Sequence, residues 1–263
     1  MKEFTITNAE QFAGFLMLRA NGGGKITFEG VTIKLARDLI INQGSIEDYV
    51  GSGITPQSLP ALNSNYEFRG TFDGQGHTIS GVYLQCTTSG IKGLFGGLGD
   101  NAVIKDLTLD NCYAGSANVA TKNTLGILAA KVIGQNVTIS GVKITNMYMK
   151  ESTESFYGIG AIVGRVDATA TLTLENCEVT GKIDFGTKGT RIGSLIGYVA
   201  SDAKTKVTVN NCTAKVDITG LDACGGLIGE KYVNSTVTFD DKCSFTGTIT
   251  CPGTKGDLLG KAS

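Results

Sequence analysis

After about residue 25, apolar and polar residues alternate along most of the chain in short runs such as Ile104-Lys105-Asp106-Leu107-Thr108-Leu109 and Thr171-Leu172-Thr173-Leu174. A period of two over four to eight residues predicts half-buried β-strands. Gly, Asn, Asp and Ser punctuate the runs, supplying the positive-φ corners that tight turns need. The beginning differs. Phe4-Thr5-Ile6-Thr7 reads as a strand, and Asn8 with Gln11 three residues on has the spacing of a helix-starting capping box. Phe12, Phe15, Leu16 and Leu18 give that helix a broad apolar face, and Gly22-Gly23-Gly24 ends it. Strand rhythm resumes at Ile26, Phe28, Val31, Ile33 and Leu35, and the weakly patterned stretch from Gly44 to Tyr66, with two prolines, reads as a long loop.

A repeat rides on this pattern. Aliphatic pairs closed by a small residue recur as Gly93-Leu94-Phe95-Gly96, Gly126-Ile127-Leu128-Ala129, Ala161-Ile162-Val163-Gly164, Ser194-Leu195-Ile196-Gly197, Gly226-Leu227-Ile228-Gly229 and Leu258-Leu259-Gly260, at intervals of 31 to 35 residues. A second element ends in Asn111-Cys112, Asn146-Met147, Asn176-Cys177, Asn211-Cys212 and, with an extra residue, Asp241-Lys242-Cys243. Units of this length fit neither a propeller blade nor a leucine-rich repeat. Each holds about three short strands and cannot bury its apolar face alone, so stacking coil on coil is the expected solution.

The predicted fold is therefore all-β, a right-handed parallel β-helix of about seven coils with an N-terminal capping helix, the hand following the crossover rule. Residues 1–67 form the cap and the first strands, and residues 68–263 form the repeats, within one structural domain. Leu109, Ile144, Leu174, Val209 and Phe239 are expected in one inward column. Thr108, Lys143, Thr173, Thr208 and Thr238 are expected in the outward column beside it, where Lys143 breaks a threonine row of the kind found on ice-binding faces. Leu258-Leu259-Gly260 opens a new repeat, so a further segment, domain or subunit is expected to cover the C-terminal end.

Composition narrows the function more than it names it. A net charge of −1 lacks the basic footprint of a nucleic-acid binder. No apolar run reaches the roughly 20 residues that span a bilayer, and no apolar leader follows Met1. Seven cysteines without a Cys-x-x-Cys, and a single histidine, argue against a zinc site and for buried thiols. No cofactor or metal is expected.

Phe72-Asp73-Gly74-Gln75-Gly76-His77-Thr78-Ile79-Ser80-Gly81 followed by Gly93-Leu94-Phe95-Gly96 resembles the GLUG-motif repeat proteins, and Thr7-Asn8-Ala9-Glu10-Gln11-Phe12 resembles the segment that often precedes such repeats. The resemblance implies a β-helical, exported, adhesin-like bacterial surface protein with no catalytic residue.

His77 reads as a turn or strand-edge residue, and Asp73, beside Gly74 and Gly76, as a turn residue. Gly96-Gly97-Leu98-Gly99-Asp100 lacks the lysine a phosphate loop requires. The acids Asp106, Asp110, Glu175 and Asp240 fall in different columns rather than in one catalytic set. Tyr148, Tyr157, Tyr198 and Tyr232 lie near turns, where aromatic rings stack on sugars, and are the candidate ligand-binding residues. The leading expectation is a non-catalytic surface module that presents a β-helix face to a glycan or protein ligand. The alternatives are a polysaccharide-cleaving β-helix enzyme and a structural spacer within a longer surface protein.

Overall fold

A computed structural model describes residues 2–45, 56–86, 91–116, 123–150 and 156–263. The strand β1 (Lys2–Ile6) leads into the helix α1 (Ala9–Asn21), and almost everything after it is strand. Three sheets form the walls, parallel but for one antiparallel pair at the start of the second. The first holds 16 strands, and its main path runs from β1 through β2 (Val31–Leu35), Thr71–Asp73, Val103–Asp110, Val137–Lys150, Thr171–Glu175 and Lys206–Asn210 to Thr236–Phe239. The second and third sheets hold seven strands each. Five complete three-sided coils run from Val103 to Ala262. Ahead of Val103, the stretches Thr71–Leu98 and Val31–Phe68 also place strands in all three sheets, so each of the two smaller sheets has one strand for each of the seven expected coils. There Leu62–Asn63 forms a short strand antiparallel to Ile91–Gly93, inside the stretch expected as loop; residues 46–55 of that stretch lie outside the described residues.

The capping box is present. Asn8 Oδ1 accepts from the Gln11 amide at 2.8 Å, and Gln11 Oε1 accepts from the Thr7 amide at 2.8 Å. Phe12, Phe15 and Leu16 are buried as expected, but Leu18 is 50% exposed and Arg19 takes the inward place. Its guanidinium donates to the Tyr66 and Phe95 carbonyls at 2.6 and 2.7 Å and lies among the rings of Phe15, Phe68 and Phe95. Burial without a carboxylate partner lowers its pKa from the ordinary arginine value. The exchange works because the end of α1 brings the guanidinium onto the carbonyls of two bends, Tyr66 and Phe95, and among aromatic rings.

The core is a single inward stack. Phe4, Ile33, Phe72, Ile104, Ile139, Leu174, Val209 and Phe239 follow one another coil by coil. The column begins at exposed Phe4 and ends at half-buried Phe239. In the last coil Val237, Phe245, Ile249, Leu258 and Leu259 are likewise only partly buried.

This register corrects two columns expected from sequence. Leu109 pairs with Ile144 and then Val179, whereas Leu174 pairs back to Ile139 and Ile104. The Asn-Cys segments therefore belong to two columns five residues apart. Cys177 stands in line with Val142 and Leu107, and Met147, not Cys177, stands beside Cys112. The cause is that left-handed kinks occur at two places along the coils of the first sheet, and asparagine serves either one. Asn111 and Asn146 (φ 54° and 50°) fill the second kink, while Asn176 and Asn211 (φ 54° and 47°) fill the first, where Asp106 and Gly141 stand in earlier coils. Cys177 and Cys212 do stack on adjacent coils, through the Thr213 amide bonded to the Cys177 carbonyl at 2.9 Å.

The Gly-Leu-x-Gly element makes the corner between the second and third sheets. Its recurring position in the structure is the opening glycine, 93, 126, 160, 193, 225 and 256, because a Cβ at Gly126 would lie 1.9 Å from the Ala129 carbonyl oxygen and one at Gly225 would lie 1.8 Å from that of Ile228. The closing residues drift by one, since Ala129 pairs with Val163 rather than Gly164.

Candidate functional site

On the outside of the first sheet, beyond the second kink, the strand residues alternate apolar-in and tyrosine-out as Val82-Tyr83-Leu84, Cys112-Tyr113-Ala114 and Met147-Tyr148-Met149. Parallel pairing aligns Tyr83, Tyr113 and Tyr148, then Lys182 and Asp217, in one outward column. Tyr83 and Tyr113 stack with ring centroids 4.9 Å apart at 13°, and burial raises the Tyr83 pKa above that of a free phenol. Tyr148 breaks the stack. Its ring stands at 77° to Tyr113 with centroids 6.1 Å apart, and Lys182 Nζ lies 5.6 Å from its centroid.

Beside this turned ring lies an open groove of about 520 Å³ whose lining includes Asp110, Asn146, Tyr148, Gly181 and Lys182. Asp110 Oδ1 accepts from Thr145 Oγ1 at 2.6 Å and from Asn146 Nδ2 at 2.8 Å, so the kink side chains are mutually fixed. Lys182 pairs with Asp184 at 3.3 Å, which pushes its pKa up and keeps it cationic. The groove thus combines an aromatic ring, an amide, a carboxylate and an ammonium group. Among the described residues Asp110 is the one carboxylate lining the groove, and the two-acid geometry of glycoside hydrolysis needs a second.

The other three candidate tyrosines gather elsewhere, on the corner of the second and third sheets. Tyr198 and Tyr232 lie 6.2 Å apart in edge contact. The Arg191 guanidinium lies 5.6, 5.3 and 5.4 Å from the centroids of Tyr157, Tyr198 and Tyr232, and Arg165 lies 5.1 Å from that of Tyr198. Arg191 also donates to Glu230 Oε2 and to the Tyr232 hydroxyl, both at 2.5 Å. Burial raises the Tyr198 pKa. The structure brings Tyr157, Tyr198 and Tyr232 together, apart from Tyr148, and packs their rings on guanidinium groups. Sequence reading had Tyr148 among its candidates but not Tyr83, Tyr113, Asn146 or Lys182, which the structure places in or beside the same column. The repeated apolar-Tyr-apolar triplet was the available signal.

His77 sits at a turn, with Nδ1 3.2 Å from Asp38 Oδ1. Asp73 faces Lys105 and the Gln75 amide rather than a second acid. The threonine row is also reset by the register. It runs Thr32, Thr71, Val103, Thr138, Thr173, Thr208 and Thr238, without Lys143, and its neighbouring outward column is the mixed row Lys34, Asp73, Lys105, Ser140, Glu175 and Asn210. Among the described residues no group of three or more His, Cys, Asp or Glu side chains is placed to hold a metal ion, and no helix is long and apolar enough to cross a membrane.

No family model matches the chain. Halomucin of Haloquadratum walsbyi is 31% identical over 183 residues, which are 68% of this chain and 2% of halomucin. The chain therefore spans a very small part of that relative. The crystal structure of a candidate immunoglobulin A1 protease from Bacteroides ovatus superposes with a TM-score of 0.57 at 18% identity, covering 100% of this chain and 80% of that one. That likeness is one of fold.

Proposed function

We propose that this β-helix is a non-catalytic, adhesin-like module of a cell-surface protein that holds an extended glycan along the line Tyr83–Tyr113–Tyr148–Lys182. The observation that carries the reading is the turned ring of Tyr148 at the edge of a polar groove, continuing a tyrosine row in three successive coils. Sugar recognition asks for an aromatic surface with amide, carboxylate and ammonium groups fixed beside it. A repeating column one strand spacing apart, about 4.8 Å, suits a polymer better than a small ligand. The similarity to halomucin and the resemblance to the GLUG-motif repeats support the surface location. Among the described residues the one lining carboxylate, Asp110, is already bonded by Thr145 and Asn146, which supports binding over cleavage.

The test is a glycan array followed by calorimetry on the best hit. Tyr148→Ala and Lys182→Ala are each expected to weaken binding tenfold or more, about 1.4 kcal/mol, with unchanged thermal midpoints. Tyr198→Ala, whose ring packs on Arg165 and Arg191, is expected to lower the midpoint and leave the affinity alone. Signal no higher than background across the array defeats the reading. Release of reducing ends from a bound polysaccharide replaces it with the enzymatic one.

A further inference from the structure

Five of the described cysteines lie in the last three coils, turned toward the core. Cys177, Cys212 and Cys243 follow one another in a single column, so Cys212 has a neighbour on each side. Cys224 and Cys251 form a separate pair, each with one neighbour. Backbone bonds from the Gly220 amide to the Thr250 carbonyl and from the Cys224 amide to the Thr254 carbonyl, both 3.0 Å, place Cys251 one coil below Gly220, with Lys255 below Cys224. The sulfurs lean toward each other. A Cβ on Gly220 would meet Cys224 Sγ at 2.7 Å, so that sulfur leans onto Gly220, the residue under which Cys251 stands. Cys251 Sγ points to the Thr254 carbonyl at 3.5 Å, the group that bonds Cys224. The two side chains are within hydrogen-bonding reach of each other, so the thiols meet across the corner although Cys224 and Cys251 are not register partners.

We propose that Cys224 and Cys251 are a disulfide site that fastens the last coil to the one before it. The oxidant is a small disulfide of the glutathione class or an oxidoreductase disulfide. Cys251, 8% exposed on the terminal coil, attacks first as the thiolate and forms a mixed disulfide, releasing one thiolate. Cys224 then loses its proton and attacks the Cys251 sulfur, releasing the second. Two protein thiols give one S–S bond, two protons and two electrons, and the electrons reduce one disulfide to two thiols. Burial raises the Cys224 pKa, which suits it to the second step rather than the first. The staple lies where the fold needs it, because the last coil leaves Phe239, Phe245, Leu258 and Leu259 only partly covered.

The experiment uses the full chain, incubated with oxidised glutathione, alkylated, digested and read by mass spectrometry. A cross-linked peptide joining Cys224 to Cys251 is expected as the main product. Amide exchange over residues 249–262 is expected to slow at least tenfold relative to the dithiothreitol-treated chain, and Cys251→Ser is expected to abolish both effects. Recovery of both cysteines in alkylated form, or linkage confined to Cys212 and Cys243, overturns the proposal. The linkage is read on the unsubstituted chain, so poor folding of Cys251→Ser does not blunt the test.

Discussion

Glu230, with a side chain 4% exposed, receives the Arg191 guanidinium from the preceding coil at 2.5 Å and the Ser263 hydroxyl at 2.6 Å. One buried carboxylate thus ties the end of the chain to two coils. Removing the acid leaves a partly buried guanidinium facing its tyrosines without a counter-charge. Breaking a buried pair costs about 3–5 kcal/mol, and the lower end applies because Arg191 is a quarter exposed, at 25%. Glu230→Ala is therefore expected to lower the thermal midpoint by roughly 6–12 °C. Glu230→Gln, which keeps an acceptor, is expected to cost about half as much. A midpoint unchanged by Glu230→Ala in differential scanning calorimetry would show that solvent replaces the pair.

The first kink of the first sheet predicts a characteristic order of substitutions. Asn211 adopts φ 47°, and its Nδ2 donates to Asn176 Oδ1 at 2.7 Å, one coil up. Alanine there forfeits the amide bond, about 1 kcal/mol, and forces an L side chain into the left-handed region, a further ~1–2 kcal/mol. Glycine forfeits only the bond. Asn211→Ala is expected to be less stable than Asn211→Gly by about 1 kcal/mol, read as a shift in urea midpoint at constant slope. Equal losses would mean that the bond, not the backbone, sets the cost.

The same kink explains what was legible in the sequence. The period of two, the thirty-odd-residue repeat and the capping box at Asn8 each reflect one local rule, and the parallel solenoid and its helix follow from them. Register across coils is not a local property. Asn111-Cys112 and Asn176-Cys177 look alike because an asparagine before a small apolar residue suits either left-handed corner, and only pairing such as Leu174 with Ile139 separates them. The functional reading suffered from the same limit. Tyr148, Tyr157, Tyr198 and Tyr232 are alike as isolated turn tyrosines, but the coil brings three of them onto Arg191 and leaves the fourth at the groove. Arg19 escaped notice because a buried arginine is decided by the two carbonyls above the core, which no pattern on α1 announces.

Acid sensitivity is expected to centre on Asp73. Its side chain is 6% exposed, 2.8 Å from Lys105 Nζ, and accepts from the Gln75 amide at 2.9 Å. Burial alone would raise its pKa, but the bonds from Lys105 and Gln75 outweigh burial and hold the carboxyl below its ordinary value. Since the folded value is the lower one, the unfolded chain takes up the proton first as pH falls. The contribution is therefore full above the unfolded pKa of about 3.9 and is lost as pH drops through the folded one. Asp38, Asp222 and Asp240 are held low by backbone amides of Thr78, Thr254 and Asn211 and steepen the same limb, so a bare pH profile does not isolate Asp73. The difference between the native chain and Asp73→Asn does isolate it. That gap in unfolding free energy is expected to be constant from pH 7 to about pH 5 and to narrow below about pH 4. A gap that stays level down to pH 2.5 would show that Asp73 contributes through its shape and hydrogen bonds alone, with no share from its charge.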